Sequence, residues 1–241
     1  MRICIIKLGA KGDVIRTTPV ASALKEKYPD SRIIWITKPN ALPLLIGDKH
    51  IDEIHPLPYK GDENFDAVYN FDIEKEACEI ASRLKSDKKF GFYLEGGYAS
   101  AYNFSAEYYL STIFDDHVKK TNTKTYQEMM FSAADLSFNK EKCYVPLTKA
   151  GEEYARDFIE KNKIEGKKII GIHMGASQRW PSKIWHPDNV ISFIEMSKQE
   201  GFTIILFGGP DEKDKMKTLI NKLNDKGLVV ITNDPNNSDE E

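Results

Sequence analysis

The sequence predicts an α/β protein with mainly parallel sheets, arranged as two Rossmann-like domains of which the second is incomplete. Three observations predict it. Short apolar runs alternate with helix-like segments through the first part of the chain, the pattern of repeated βα units. The rhythm breaks over Asn139–Lys149, which contains Pro146, and restarts beyond it. Only about three strand-like runs follow the restart, whereas doubly wound sheets usually have five or six. Residues 1–148 are therefore read as one domain, and 149–241 as part of another.

Taken in order, Ile3-Cys4-Ile5-Ile6 is a buried strand, because it is apolar on both alternating faces. Lys7–Pro19 (KLGAKGDVIRTTP) turns from that strand into an apolar-periodic helix. Arg32–Thr37 and Ala67–Phe71 read as strands, and Glu74–Leu84, Ala106–Phe114 and Lys124–Leu136 as helices. After the break, Glu152–Asn162 is a helix and Lys168–His173 a strand. Gly175–Pro187 is a polar loop, Asp188–Gln199 a helix, and Thr203–Phe207 a strand. Asp211–Leu223 is a helix, Leu228–Thr232 a strand, and Asp234–Glu241 an acidic tail.

Composition narrows the class. The 241 residues carry a net charge of -3, with no basic excess, so a general nucleic-acid binder is not expected. No apolar run approaches the ~20 residues needed to cross a bilayer. The N-terminus does not read as a signal peptide, since its apolar run is short and Lys7 and Lys11 follow it. Cys4, Cys78 and Cys143 are widely spaced and form neither a metal-ligand pattern nor a disulfide framework. A reducing cytoplasm is the expected setting.

The loop holding Gly9 and Gly12 is the most informative stretch. Glycine-bearing strand-to-helix turns bind anions through outward-pointing backbone N–H groups. A carboxylate in such a loop, Asp13, does not help anion binding, which marks it for chemistry. The alternative is a tight turn with Asp13 as a helix N-cap. The G-x-x-G-D spacing is not the dinucleotide fingerprint, and Lys38 stands where a ribose-binding acid would be wanted. Pro19 either begins a helix that Thr18 caps or bends one that starts near Asp13; a plain capping role is the expectation for Thr18. Arg16 and Thr17 lie near enough to hold a polar ligand.

A second cluster, Gly175–Trp185 (GASQRWPSKIW), follows another strand. Arg179 and Lys183 supply charge, Ser177 and Ser182 hydroxyls, and Trp180 and Trp185 rigid walls, a composition suited to a diphosphate. Lys183 is read as functional and Trp185 as packing. Gly208-Gly209-Pro210-Asp211 is explained by helix initiation. His173 is read as structural. Asp72, at the end of a strand, is the runner-up to Asp13 as a base. The remaining histidines lack metal-ligand spacing.

These motifs together resemble glycosyltransferase family 9, the ADP-heptose:lipopolysaccharide heptosyltransferase group. The resemblance is carried by IIKLGAKGDVIRTTP, KEKYPDSRIIWIT, HMGASQRWPSKIW and LFGGPDEK, in that order along the chain. It implies a GT-B architecture with an acceptor-binding N-terminal domain and a nucleotide-sugar-binding C-terminal domain. It implies Asp13 as the catalytic base, and acceptor contacts from Lys11, Gly12, Arg16 and Thr17. It implies donor-phosphate contacts from Lys183, with Arg179 and Ser177 beside it. The chain departs from the family by one residue after Lys183. Members also continue for about another hundred residues, carrying D-T-x-x-x-H-x-A and F-G-P-T stretches that do not occur here.

The implied reaction is inverting transfer of a sugar, plausibly a heptose, from a nucleotide-diphosphate donor to a saccharide or lipid-linked saccharide acceptor such as lipopolysaccharide core. No metal or cofactor is expected, and a lipid-linked acceptor implies peripheral contact with the inner membrane face. The 241-residue chain alone is expected to be inactive. The rival reading is a non-catalytic saccharide- or nucleotide-binding module that lost the donor half.

Overall fold

The computed structural model describes residues 1–176 and 181–236. The chain divides into two compact units, Met1–Pro146 and Leu147–Glu241. The first contains β1 (Arg2–Ile6), α1 (Lys11–Lys27), β2 (Arg32–Thr37), a 3₁₀ turn (Pro39–Leu44), β3 (Glu53–Pro56) and β4 (Ala67–Asn70). It continues through α2 (Lys75–Arg83), β5 (Lys89–Glu95), β6 (Tyr98–Ala101), α3 (Phe104–Phe114), α4 (Asp116–Thr121) and α5 (Tyr126–Ala133).

The six strands run in the order β3-β2-β1-β4-β5-β6. All neighbours are parallel except β5 and β6. β1 and β2 are buried on both faces because alternate residues feed different cores. Ile3, Ile5, Ile33 and Trp35 pack with α1 and α5, while Cys4, Ile6, Ile34 and Ile36 pack with α2. A parallel sheet covered by helices on both sides needs such continuous apolar strands. The strand order reverses between β1 and β4. Open α/β sheets bind ligands at that point, beyond the carboxyl ends of the strands.

The second unit contains α6 (Lys149–Asn162), β7 (Ile169–His173), a 3₁₀ turn (Pro181–Lys183), α7 (Pro187–Gln199) and β8 (Thr203–Phe207). A 3₁₀ turn (Pro210–Glu212), α8 (Lys213–Asp225) and β9 (Ile231–Thr232) follow. Its sheet has the parallel order β7-β8-β9. α7 and α8 cover one face around Ile194, Leu206, Leu219 and Leu223. The other face is less closely packed. Tyr154, Phe158 and Ile159 of α6 border a cavity of about 480 Å³ over Ile169, Ile205 and Phe207.

Several elements differ from the sequence expectation. β5 and β6 form an antiparallel hairpin turning on Gly96 and Gly97, both at positive φ. β3 was not expected. The segment Asp211–Leu223 divides into a 3₁₀ turn and α8, and the last strand keeps only Ile231 and Thr232. Thr18 is not an N-cap: α1 begins at Lys11 and carries Pro19 inside it. Proline has no N–H for the carbonyl four residues back. The Thr18 hydroxyl donates to that carbonyl, Ile15 O, at 2.9 Å, and accepts from Tyr144 N at 3.2 Å.

Candidate functional site

The loop joining β1 to α1 stands at the reversal point of the first sheet, beside the end of β4. Asp13 is the third residue of α1, and its side chain is not the cap. The N-cap position is Ala10, whose carbonyl accepts from Asp13 N at 2.8 Å. The Asp13 side chain is 35% exposed and pairs with the Arg16 guanidinium one turn on. That guanidinium lies over the Tyr126 ring, 4.2 Å from its centroid, a cation–π contact that fixes its position. Thr17 is fully buried. Its hydroxyl donates to Asp13 O at 2.8 Å, so Thr17 supports the turn that presents Asp13. Gly12 is exposed, and a Cβ built on it meets nothing within 4 Å. Lys11, the first residue of α1, is half-buried.

Asp72, two residues past β4, is employed inside the protein. It is 7% exposed. Its Oδ1 accepts from Lys7 Nζ at 2.8 Å. Its Oδ2 accepts from the Leu8 and Gly9 amides, the latter at 3.0 Å. The Asn70 side chain holds this corner as well: Oδ1 accepts from Asp72 N at 3.1 Å, and Nδ2 donates to Asp72 O at 3.0 Å and Phe92 O at 2.7 Å. The expectation that the loop offers outward N–H groups is therefore corrected at two of them. Leu8 and Gly9 already serve an internal carboxylate.

Charges converge tightly here. A Cβ built on Gly9 would lie 3.3 Å from Lys7 Nζ, 3.4 Å from Asp13 Cβ and 3.4 Å from Asp72 Oδ1. Burial alone would depress the Lys7 ammonium, but the Asp72 carboxylate and the Tyr126 phenol outweigh it and raise the Lys7 pKa. Burial pushes Tyr109 up to about 12; Tyr126, Asp13 and Asp72 add to that push and Lys7 opposes it. Neither Lys7 nor Tyr126 was singled out from the sequence. Lys7 directly follows an apolar strand, at the edge where open α/β sheets bind ligands, and that was its one readable signal.

In the second unit the loop after β7 carries Lys183, exposed at the end of its 3₁₀ turn. His173, Gly175, Lys183, Ile184 and Trp185 border a small cavity of about 60 Å³. Ser177, Arg179 and Trp180 lie outside the described residues. His173 Nδ1 accepts from Gly175 N at 3.1 Å, and Trp185 packs on Phe193 with ring centroids 5.3 Å apart. Glu212 adds a carboxylate to this end of the sheet. Its Oε2 accepts from Gly209 N at 3.0 Å, and its side chain lies so near Gly175 that a Cβ there would collide with it. The i, i+3 spacing of Gly209 and Glu212 was the available signal for that contact. Among the described residues no group of three His, Cys, Asp or Glu is arranged to hold a metal, and no helix is long and apolar enough to cross a membrane.

The family model described as glycosyltransferase family 9 (heptosyltransferase) matches residues 61–232. Over 229 residues the chain is 22% identical to lipopolysaccharide heptosyltransferase 3 of Escherichia coli (strain K12), covering 84% of this chain and 62% of that one. Over 199 residues it is 27% identical to lipopolysaccharide heptosyltransferase 1 of Campylobacter coli, covering 74% and 56%. The chain thus spans about three fifths of the length of these curated relatives. A solved glycosyl transferase family 9 structure from Veillonella parvula DSM 2008 aligns with TM-score 0.76 at 15% identity, over 98% of this chain and 70% of that one. The ADP-heptose lps heptosyltransferase II of E. coli aligns with TM-score 0.68 at 14% identity, over 100% and 74%. At these identities the structural likeness shows the fold, the GT-B class of two Rossmann-like units with mainly parallel sheets.

Proposed function

Because the chain belongs to glycosyltransferase family 9, the heptosyltransferase family, we propose that it serves the transfer of a heptose from a nucleotide-diphosphate donor to a saccharide of the lipopolysaccharide core. The observation that carries the site assignment is the contrast between two carboxylates at the sheet's reversal point. Asp72 is buried and bonded on both oxygens, while Asp13 keeps about a third of its side chain exposed.

In this reading Asp13 takes the proton of the acceptor hydroxyl as that oxygen attacks the anomeric carbon. The bond from the anomeric carbon to the diphosphate oxygen breaks from the opposite side, so the configuration inverts. The centre passes through an oxocarbenium-like state. Arg16 donates to Asp13 Oδ1, so the incoming hydroxyl shares or displaces that partner. Gly12, Lys11 and Arg16 form the acceptor wall. Lys183 meets the charge that develops on the departing diphosphate, with Arg179 and Ser177 assigned to the same group. No metal or cofactor is invoked. The setting is cytoplasmic, and a lipid-linked acceptor is reached by contact with the inner membrane face.

The test is Asp13→Asn, assayed in the longest form that the gene encodes. Turnover should fall by ~10²-fold or more, with donor affinity little changed. Near-normal turnover would falsify the assignment of Asp13 as base.

A further inference from the structure

The β1–α1 loop has the parts of an anion cradle, and the protein fills it with its own side chain. Two successive backbone amides, Leu8 and Gly9, and the Lys7 ammonium converge on the Asp72 carboxylate. A phosphate group asks for the same donors: backbone N–H groups at a strand-to-helix turn, and one cation. Lys7 is 2% exposed and Asp72 7% exposed, so both charges are withdrawn from water. Such a pair is a poor way to gain stability, since well-packed apolar residues usually do as well or better. Lys7 is also held from behind, donating to Phe71 O at 2.9 Å. The cradle's donors are all engaged, and its occupant is a carboxylate.

We propose that Asp72 is a built-in anion that closes the first unit's cradle to phosphate. It thereby acts as a specificity-determining residue, excluding phosphate-bearing ligands from this loop and leaving the loop to present Asp13. The geometry gives the exclusion a purpose. Asp72 Oδ1 and Asp13 Cβ both lie 3.4 Å from the position a Cβ on Gly9 would take, so an anion admitted at this loop would add like charge in the neighbourhood of Asp13. The ligand class that Asp72 stands in for is inorganic phosphate or a terminal phosphate of a diphosphate. The proposal does not depend on Asp13 being a base.

The test uses the 241-residue chain and needs no activity assay. Backbone amide shifts of Leu8 and Gly9 are followed by NMR while inorganic phosphate is added, with chloride at matched ionic strength as control. In the wild type these amides should show no saturable response. In Asp72→Ala they should respond saturably, with phosphate binding roughly tenfold or more tighter than to the wild type. Adding Lys7→Met to that variant should abolish the response. If Asp72→Ala does not fold in plain buffer, phosphate should restore the native spectrum where chloride does not. A saturable response of the wild-type amides overturns the proposal. So does a folded Asp72→Ala chain that ignores phosphate, or an unfolded one that phosphate does not rescue. An active Asp13→Asn enzyme would sink the catalytic reading and leave this result untouched.

Discussion

The loop after β1 and the loop after β7 leave their sheets at equivalent places, the carboxyl end of a parallel strand, yet they are built differently. The first is bonded inward. Lys7, Leu8 and Gly9 donate to Asp72, and the Thr37 hydroxyl donates to Lys7 O at 2.9 Å. In the second, among the described residues, Lys183 is exposed and a small cavity lies beside it. A loop whose donors are spent internally is suited to positioning a side chain; under the proposed function the second loop brings an exposed lysine to the donor diphosphate. The contrast is in keeping with the proposed function, in which the first loop presents the base and the second holds the donor.

The comparison breaks most visibly if the inward bonding is dispensable. Lys7→Met leaves the Asp72 charge buried without its cation and should cost about 3–5 kcal/mol of unfolding free energy, read by urea denaturation. The pH dependence gives a second reading. Lys7 is raised above its unfolded value of 10.5, so its contribution is complete below that pH and is lost as pH climbs through the higher folded value. Lys7→Met should flatten that alkaline decline. A variant as stable as the wild type would show that Asp72 does not need its partner.

A smaller effect tests the second loop. Lys183→Ala should weaken binding of the nucleoside diphosphate product by ~1.5–3 kcal/mol, the usual worth of a charge-assisted bond, measured by calorimetry on the longest form that the gene encodes. Unchanged affinity would remove Lys183 from the donor site. The smallest effect concerns the bend in α1. Thr18→Val leaves Ile15 O without the hydroxyl that replaces the missing proline N–H, and should cost ~1 kcal/mol. A loss near zero would mean that another donor serves this carbonyl.

Much of this architecture was legible. The continuous apolar strands Ile3–Ile6 and Ile33–Ile36 announced a doubly covered parallel sheet, and Thr203–Phe207 was read with the bounds of β8. The β5–β6 hairpin was legible too, since two glycines separate alternating runs, but the βα rhythm drew attention away from it. Other features were not readable in principle. Asp72 meets Leu8 and Gly9 across more than sixty residues of sequence, and no local pattern reports such a contact. Without it, Asp72 stands only as the runner-up to Asp13, with nothing to show that its carboxylate is committed inside the protein. Burial separates them. Thr18 misled for a related reason: a hydroxyl before a proline reads as a cap, until the helix is seen to continue through the proline.

The two glycines of the same loop carry a last lesson, about tolerance to substitution. Gly9 is hemmed in, with Lys7 Nζ 3.3 Å from where its Cβ would stand. A side chain there would make its neighbours, the hydrogen-bonded Lys7 ammonium first, give by a few tenths of an ångström. Gly12 lies on the first turn of α1 with open space around it. A glycine in a helix costs up to ~1 kcal/mol relative to alanine, and here the chain gains no room for itself in exchange. The vacancy at Gly12 faces outward, beside Asp13. An alanine at Gly12 would therefore be silent in a screen for folding and audible only in a screen for ligands, whereas at Gly9 the folding screen would register it first.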